Sequence, residues 1–200
     1  MIDDFLIVNI REYLRQGEDG EDMLRRVFST FSCEKNADVE RFLVQQSIEF
    51  TKKNQSVTYI VVTPEQGQIV GYFTITIKPI TVNTDSFSNT VKKKIARVSE
   101  QDAENGNYSL SAYLIAQLGK NYTDGANYAI TGEQLLGLAI EKVKKLQYMA
   151  GGMVVFLEAE NEEKLLHFYE AENGFKRFDT KKVKSGTENA HTLIQLLKVL

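Results

Sequence analysis

Apolar positions fall along this chain in two rhythms, and their order predicts the elements. "FLIVNI" (5–10) reads as a first strand, and "EDMLRRVFSTF" (21–31) carries its apolar residues at helical spacing. "DVERFLVQQSIEFTKK" (38–53) predicts an amphipathic helix that buries Val39, Phe42, Leu43, Ser47, Ile48 and Phe50, with Asp38 as its cap. "VTYIVVT" and "IVGYFTITIK" are β-branched runs split by the turn residues "PEQGQ", which predicts a hairpin. A polar stretch over 80–107 follows, with a short helix expected around Val91 to Val98.

The second half predicts a strand over 108–120, a long amphipathic helix over 131–149 and a buried strand over 152–159. "NEEKLLHFYEAENGF" reads as a helix stopped at Asn173-Gly174, and "HTLIQLLKVL" as a closing strand whose leucines also allow a helix. Strands alternating with helices predict an α/β fold with a mixed sheet. The unit strand 108–120, helix 131–149, strand 152–159 is expected to be a right-handed β-α-β crossover.

Composition narrows this reading. The chain has 200 residues, 42% of them hydrophobic, and no Pro/Gly/Ser-rich linker divides it, so residues 1–200 are expected to form a single domain. A net charge of −3 argues against a molecule coated in basic surface. The single cysteine, Cys33, excludes an internal disulfide framework, and with two distant histidines, His167 and His191, there is no zinc spacing and no metal is expected. The early acids and Arg11 do not make a signal peptide, and no run approaches the roughly 18 apolar residues of a membrane span, so a cytoplasmic protein without a membrane partner is expected.

Chemistry is sought first where the strand 108–120 hands over to the helix. Ligands of open α/β sheets sit at the carboxyl ends of strands, and a helix start with free N–H groups attracts anions. Gly132 would let a ligand oxygen approach the backbone without a Cβ in its way, so a pyrophosphate could rest there. Glu133 and Gln134 follow Gly132 in place of Lys-Ser/Thr, which excludes a P-loop, and Gly125 and Gly132 are wrongly spaced for a dinucleotide fingerprint. A glycine that merely eases the turn explains the same residues.

The motif "FYEAENGF" in "KLLHFYEAENGFKRF" resembles the FYE-x-x-GF segment of the GNAT N-acetyltransferases, and "LIAQLGKNY…ITGEQLLGLAIEKVKK" looks like that superfamily's acyl-CoA-binding strand and helix. The hairpin "YIVVTPEQGQIVGYFTI" matches its second and third strands, and the likeness covers about Phe31 to Phe178. "DVERFLVQQSIEFTKKNQSVTYIVV" with "AYLIAQLG" is similar to the branch that holds toxin-like acetyltransferases.

The resemblance implies a mostly antiparallel GNAT-like sheet with a central β-α-β acyl-CoA-binding unit and flanking helices. It implies acetyl-CoA as co-substrate, held by the backbone of Leu118, Gly119 and Lys120 along the strand and by Ile130, Thr131, Gly132, Glu133 and Gln134 at the helix start. The superfamily's Q-x-x-G-x-G/A loop would fall on Asn127 to Gly132, where only Gly132 keeps its glycine and "TDGANY" looks inserted. The polar residue after the next strand would fall at Glu162 or its neighbour Asn161.

Amine attack on a thioester passes through an anionic intermediate whose collapse expels a thiolate, and a proton donor helps that departure. By the same resemblance Tyr169 is the donor, while Phe168 should point inward. Glu158 and Glu160 are positioned as bases at a strand end, but neither matches a motif and no base is assigned. Lys92, Lys93, Lys94 and Arg97 make either a solvated surface or a patch for RNA phosphates.

Three functions follow: an acetyl-CoA-dependent N-acetyltransferase of a primary amine, a toxin-like acetyltransferase of aminoacyl-tRNA, and a catalytically silent CoA-binding module. The candidate partners are a small-molecule or aminoacyl-tRNA acceptor, an antitoxin protein and a second copy in a homodimer.

Overall fold

The structure, a computed structural model, describes residues 5–85, 87–102, 104–183 and 191–200. The described chain falls into two compact units, Met1–Thr76 with Ala116–Lys142 and Ile77–Ile115 with Val143–Leu200. The strands follow the order β1-β2-β3-β5-β6-β8-β7 with β4 beside β5, a mixed α/β architecture with a mostly antiparallel eight-stranded sheet, as expected.

In the first unit, β1 (Leu6–Asn9) pairs antiparallel with β2 (Val57–Val62), and β2 pairs antiparallel with β3 (Ile69–Val82). The expected hairpin turn is closed by Gly67, whose φ of 63° suits a residue without a Cβ, and the Gly67 amide donates to the Thr63 carbonyl at 2.9 Å. Between β1 and β2 lie α1 (Arg11–Leu14), α2 (Glu18–Phe28), α3 (Ala37–Arg41) and α4 (Ser47–Lys52). α2 carries Glu18, Asp19 and Glu21 in its first turn and Arg25 and Arg26 in its last, the arrangement the helix dipole favours. Leu24 and Phe28 from α2 and Ile48 from α4, with Leu43 between α3 and α4, join Ile60, Val62 and Tyr72 from β2 and β3 in one core cluster.

Two details of the 38–53 helix depart from expectation. Asn36, not Asp38, caps it: the Asn36 Oδ1 accepts from the amides of Asp38 and Val39 at 3.0 and 3.2 Å, and Asp38 instead pairs with Arg41. Phe42–Gln46 forms a π-turn between α3 and α4, which adds one residue to the helical spacing. After Val39, Phe42 and Leu43, the buried face therefore continues at Ser47, Ile48 and Thr51, and Phe50 turns out to 38% exposure.

In the second unit, β5 (Tyr108–Lys120, shared with the first) pairs with β6 (Val154–Glu160) in parallel, through Tyr113↔Val155 to Ile115↔Leu157. β6 pairs antiparallel with β8 (His191–Val199), so "HTLIQLLKVL" is a strand. β5 and β6 are joined by α6 (Gly132–Ala150), which confirms the expected β-α-β order. α5 (Asn89–Ala96) starts two residues before the expected Val91 because Ser88 caps it. α7 (Glu163–His167) runs into a second π-turn, Phe168–Glu172, and Gly174 at φ 71° stops it as expected. β4 (Glu100–Gln101) and β7 (Lys176–Val183) were not foreseen; β7 is a charged strand at the end of the sheet order that pairs with β8, and charge of this kind blunts an edge.

Candidate functional site

Thr131 and Gln134 organise the start of α6. The Gln134 amide donates to the Thr131 Oγ1 at 3.1 Å, and the Thr131 amide donates to the Gln134 Oε1 at 2.8 Å. This is a capping box, the reciprocal solution to a helix start's unpaired donors. It narrows the expected anion cradle: of the five amides from Ile130 to Gln134, those of Thr131 and Gln134 are taken by the box, and Gly132 and Glu133 are the first-turn amides outside it. The Ile130 side chain is buried in the core, so that residue anchors the turn. Ahead of the box lies a 3-10 turn, Thr123–Tyr128, bent by left-handed backbone at Asp124 (φ 50°) and Gly125 (φ 73°), and this is the segment read as an insertion.

The end of β5 is held from both sides. A Cβ at Gly119 would lie 2.3 Å from Val39 Cγ1, so Gly119 is required for α3 to pack on β5. A Cβ at Gly71 on β3 would lie 2.8 Å from the Gly119 carbonyl oxygen and 3.1 Å from Leu135 Cδ2. Gly71 is thus where the end of β5 and the first turn of α6 approach the same point of the first unit. Lys120 is half-buried, and that burial, with the Lys35 ammonium second, holds its amine below the ordinary lysine range.

Sequence reading missed Asn121. Its side chain is 2% exposed. Its Oδ1 accepts from the amides of Ser32 (3.0 Å) and Thr123 (3.1 Å), while Nδ2 donates to the carbonyls of Thr30 (3.3 Å) and Ile69 (2.9 Å). All four capacities of the amide are used. An Asn directly after a strand and before Asp-Gly was the available signal.

In the second unit, Tyr169 is buried at 8% exposure and Phe168 is only half-buried, which reverses the expected orientation. The buried stripe of α7 and its π-turn runs through Leu166 and Tyr169, three residues apart, and Phe168 sits beside it. The Tyr169 ring packs edge-on against Phe168 (5.0 Å) and Phe175 (5.9 Å). Burial pushes its phenol up to about 12, so it is protonated throughout the neutral range. Glu158 is bound by Lys181 (2.7 Å) and Gln195 (2.8 Å), and Glu160 pairs with His191 at 3.2 Å. Both carboxylates are thereby accounted for structurally. Asn161 and Glu162 are exposed after β6, and Glu162 opens α7 without a side-chain cap bond.

Cys33 is buried, its thiol pushed up by that burial, with its amide bound to Glu40 at 2.7 Å. Among the described residues no group of three His, Cys, Asp or Glu side chains could hold a metal ion, and no helix is long and apolar enough to cross a membrane.

No protein-family model and no curated protein sequence matches the chain. Solved structures do. The chain is similar to AtaT complexed with acetyl-methionyl-tRNAfMet, at 18% identity and TM-score 0.61 over 96% of this chain and 94% of that one. It is similar to a tyrosine-to-phenylalanine mutant of KacT at 18% identity and TM-score 0.61, over 96% and 95%. A tyrosine-to-phenylalanine mutant of the AtaT toxin, bound to the C-terminus of the antitoxin AtaR and acetyl-CoA, aligns at 18% identity and TM-score 0.57 over 98% and 94%. The chain therefore shares its fold with AtaT and KacT, as its motifs led one to expect.

Proposed function

We propose that the protein is an acetyl-CoA-dependent N-acetyltransferase of the toxin-like branch, whose acceptor is the amine of an aminoacyl-tRNA. The observation that carries this is the fold shared over 96% of the chain with AtaT, which was captured with acetyl-methionyl-tRNAfMet. It favours a charged tRNA over a small primary amine as acceptor. An antitoxin partner belongs to the same reading, supported by the AtaT complex with AtaR.

Acetyl-CoA supplies the acetyl group as an activated thioester. In this reading the amides of Gly132 and Glu133, at the positive end of the 19-residue α6, hold its pyrophosphate. The exposed Glu133 side chain can turn to solvent, which removes its charge from the phosphates. Backbone groups of Leu118, Gly119 and Lys120 pair with the amide-rich arm, and Asn161 is a further polar contact. Tyr169 gives its proton to the departing sulfur, a role suited to a phenol that stays protonated at neutral pH. The amine is deprotonated by water, since Glu158 and Glu160 are already engaged.

Calorimetric titration with acetyl-CoA tests the first part, with Gly132→Trp as control. Micromolar binding that the variant loses is the expected result, and no binding by the unaltered protein overturns the transferase. Incubation with radiolabelled acetyl-CoA and total aminoacyl-tRNA or free amines tests the second. Label on tRNA is expected, label only on free amines removes the tRNA acceptor, and binding without turnover leaves a silent CoA-binding module.

A further inference from the structure

The second unit holds a cleft of about 210 Å³ between α5 and the pair β7 and β8. Lys94 from α5, Lys176 from β7 and Lys198 from β8 line it, with Thr90 and the backbone of Gly174. No carboxylate is among the lining residues. Among the described residues, Lys94 and Lys176 have no ion-pair partner, and Lys198 spends its ammonium on the Asn173 carbonyl at 2.8 Å while lying over the Phe175 ring. Leu197, buried at 1% exposure, makes an apolar floor.

Three lysines from three elements line this one cleft with no carboxylate among them, in a chain whose net charge is −3, so their like charges favour an anion beside them. We infer that this cleft binds a phosphate group. Its volume is below the roughly 300–1,000 Å³ of pockets that enclose a whole drug-sized ligand, which suits a single phosphate better than an entire nucleotide. Lysines act on phosphate as compact point charges and need no fork geometry, in keeping with a contact that reads charge alone. Gly174, which also lines the cleft, has φ 71° and nothing within 4 Å of where its Cβ would stand. Lys92, Lys93 and Arg97 continue the positive charge along α5 and just past its end, which suits a phosphate carried on an RNA backbone. Inorganic phosphate offers the same chemistry. The RNA source alone rests on the proposed function; the phosphate site does not.

The test is fluorescence anisotropy with a short, labelled RNA hairpin carrying no aminoacyl group, across 50–200 mM salt, comparing the protein with Lys94→Gln/Lys176→Gln. These residues are chosen because neither is tied into the fold by an ion pair. If the cleft holds backbone phosphate, the double variant binds at least about fivefold more weakly, and its plot of log affinity against log salt is shallower by about 1.5, near 0.7–0.9 per lost contact. In parallel, inorganic phosphate is titrated while the lysine Cε resonances are followed. Unchanged RNA binding, with phosphate-induced shifts in the protein that the variant lacks, supports the site and assigns it to free phosphate. Unchanged RNA binding without such shifts overturns the inference. No acetyl-CoA is present in either measurement, so failure here leaves the calorimetric result standing, and failure of the calorimetry leaves the cleft standing.

Discussion

Thr131 and Gln134 close on each other at the first turn of α6, through hydrogen bonds of 2.8 and 3.1 Å that satisfy each other's backbone amide. The helix start is thus stable without a ligand. Removing the hydroxyl in Thr131→Ala should lower stability by about 1 kcal/mol. Because Gly132 and Glu133 are the donors assigned to the pyrophosphate, Thr131→Ala should leave acetyl-CoA affinity within about threefold, roughly 0.7 kcal/mol. Thermal unfolding and calorimetry on one sample separate the two effects. A tenfold loss of affinity would mean that the box itself shapes the anion site.

Tyr169 makes a second prediction through its titration. The unfolded phenol ionises near pH 10 and the folded one at about 12, so the folded value is the raised one. Its contribution is fully present below about pH 10 and lost as pH rises to about 12, a fall of roughly 2.7 kcal/mol at 1.36 kcal/mol per pH unit. Urea unfolding at pH 8 and pH 11.5 should show a smaller fall for Tyr169→Phe than for the unaltered protein. A residual fall remains in the variant because burial raises the Tyr72 phenol as well. At pH 8 the variant should keep its fold and lose turnover, and unchanged turnover would remove the proton-donor role.

Much of the fold was written in apolar periodicity, and the departures have physical causes. The hairpin and the β-α-β unit were legible because long β-branched runs and one long amphipathic helix leave few alternatives. β7 was hidden because five of its eight residues are charged, so it shows no alternation and is held by pairing to β8. The two π-turns were hidden because a single extra residue leaves no compositional mark, yet it moved burial from Phe50 to Thr51. At the candidate site, Gly132 and Tyr169 could be found by motif, whereas the capping box and the burial of Tyr169 needed the geometry. Gly119 illustrates the limit of motif reading: its packing under Val39 gives it a structural reason that no short motif reveals.

Asn121 predicts a stability loss without a change in chemistry. In Asn121→Asp the two donated hydrogen bonds to the carbonyls of Thr30 and Ile69 are lost, and oxygen faces oxygen in a site 2% exposed. Unsatisfied buried polar groups cost about 1–3 kcal/mol each, so the variant should lose about 3 kcal/mol. Denaturant unfolding measures this, and a loss under 1 kcal/mol would show that water replaces the missing bonds.

Gly119 and Val39 make the most discriminating pair. A methyl group at position 119 would stand 2.3 Å from Val39 Cγ1, so Gly119→Ala should cost about 1–3 kcal/mol through overpacking. Val39→Ala alone leaves a cavity and costs a similar amount. In the double variant the new methyl fills the space that Val39 vacates, and the combined cost should be smaller than the sum by at least 1 kcal/mol. That rescued protein also isolates the ligand question, because acetyl-CoA pairing with the backbone of the strand does not need the glycine once Val39 is trimmed. Recovery of stability together with affinity would mean that the glycine serves packing alone. Recovery of stability without affinity would mean that the arm of the co-substrate runs against Gly119 itself and cannot accept a Cβ there.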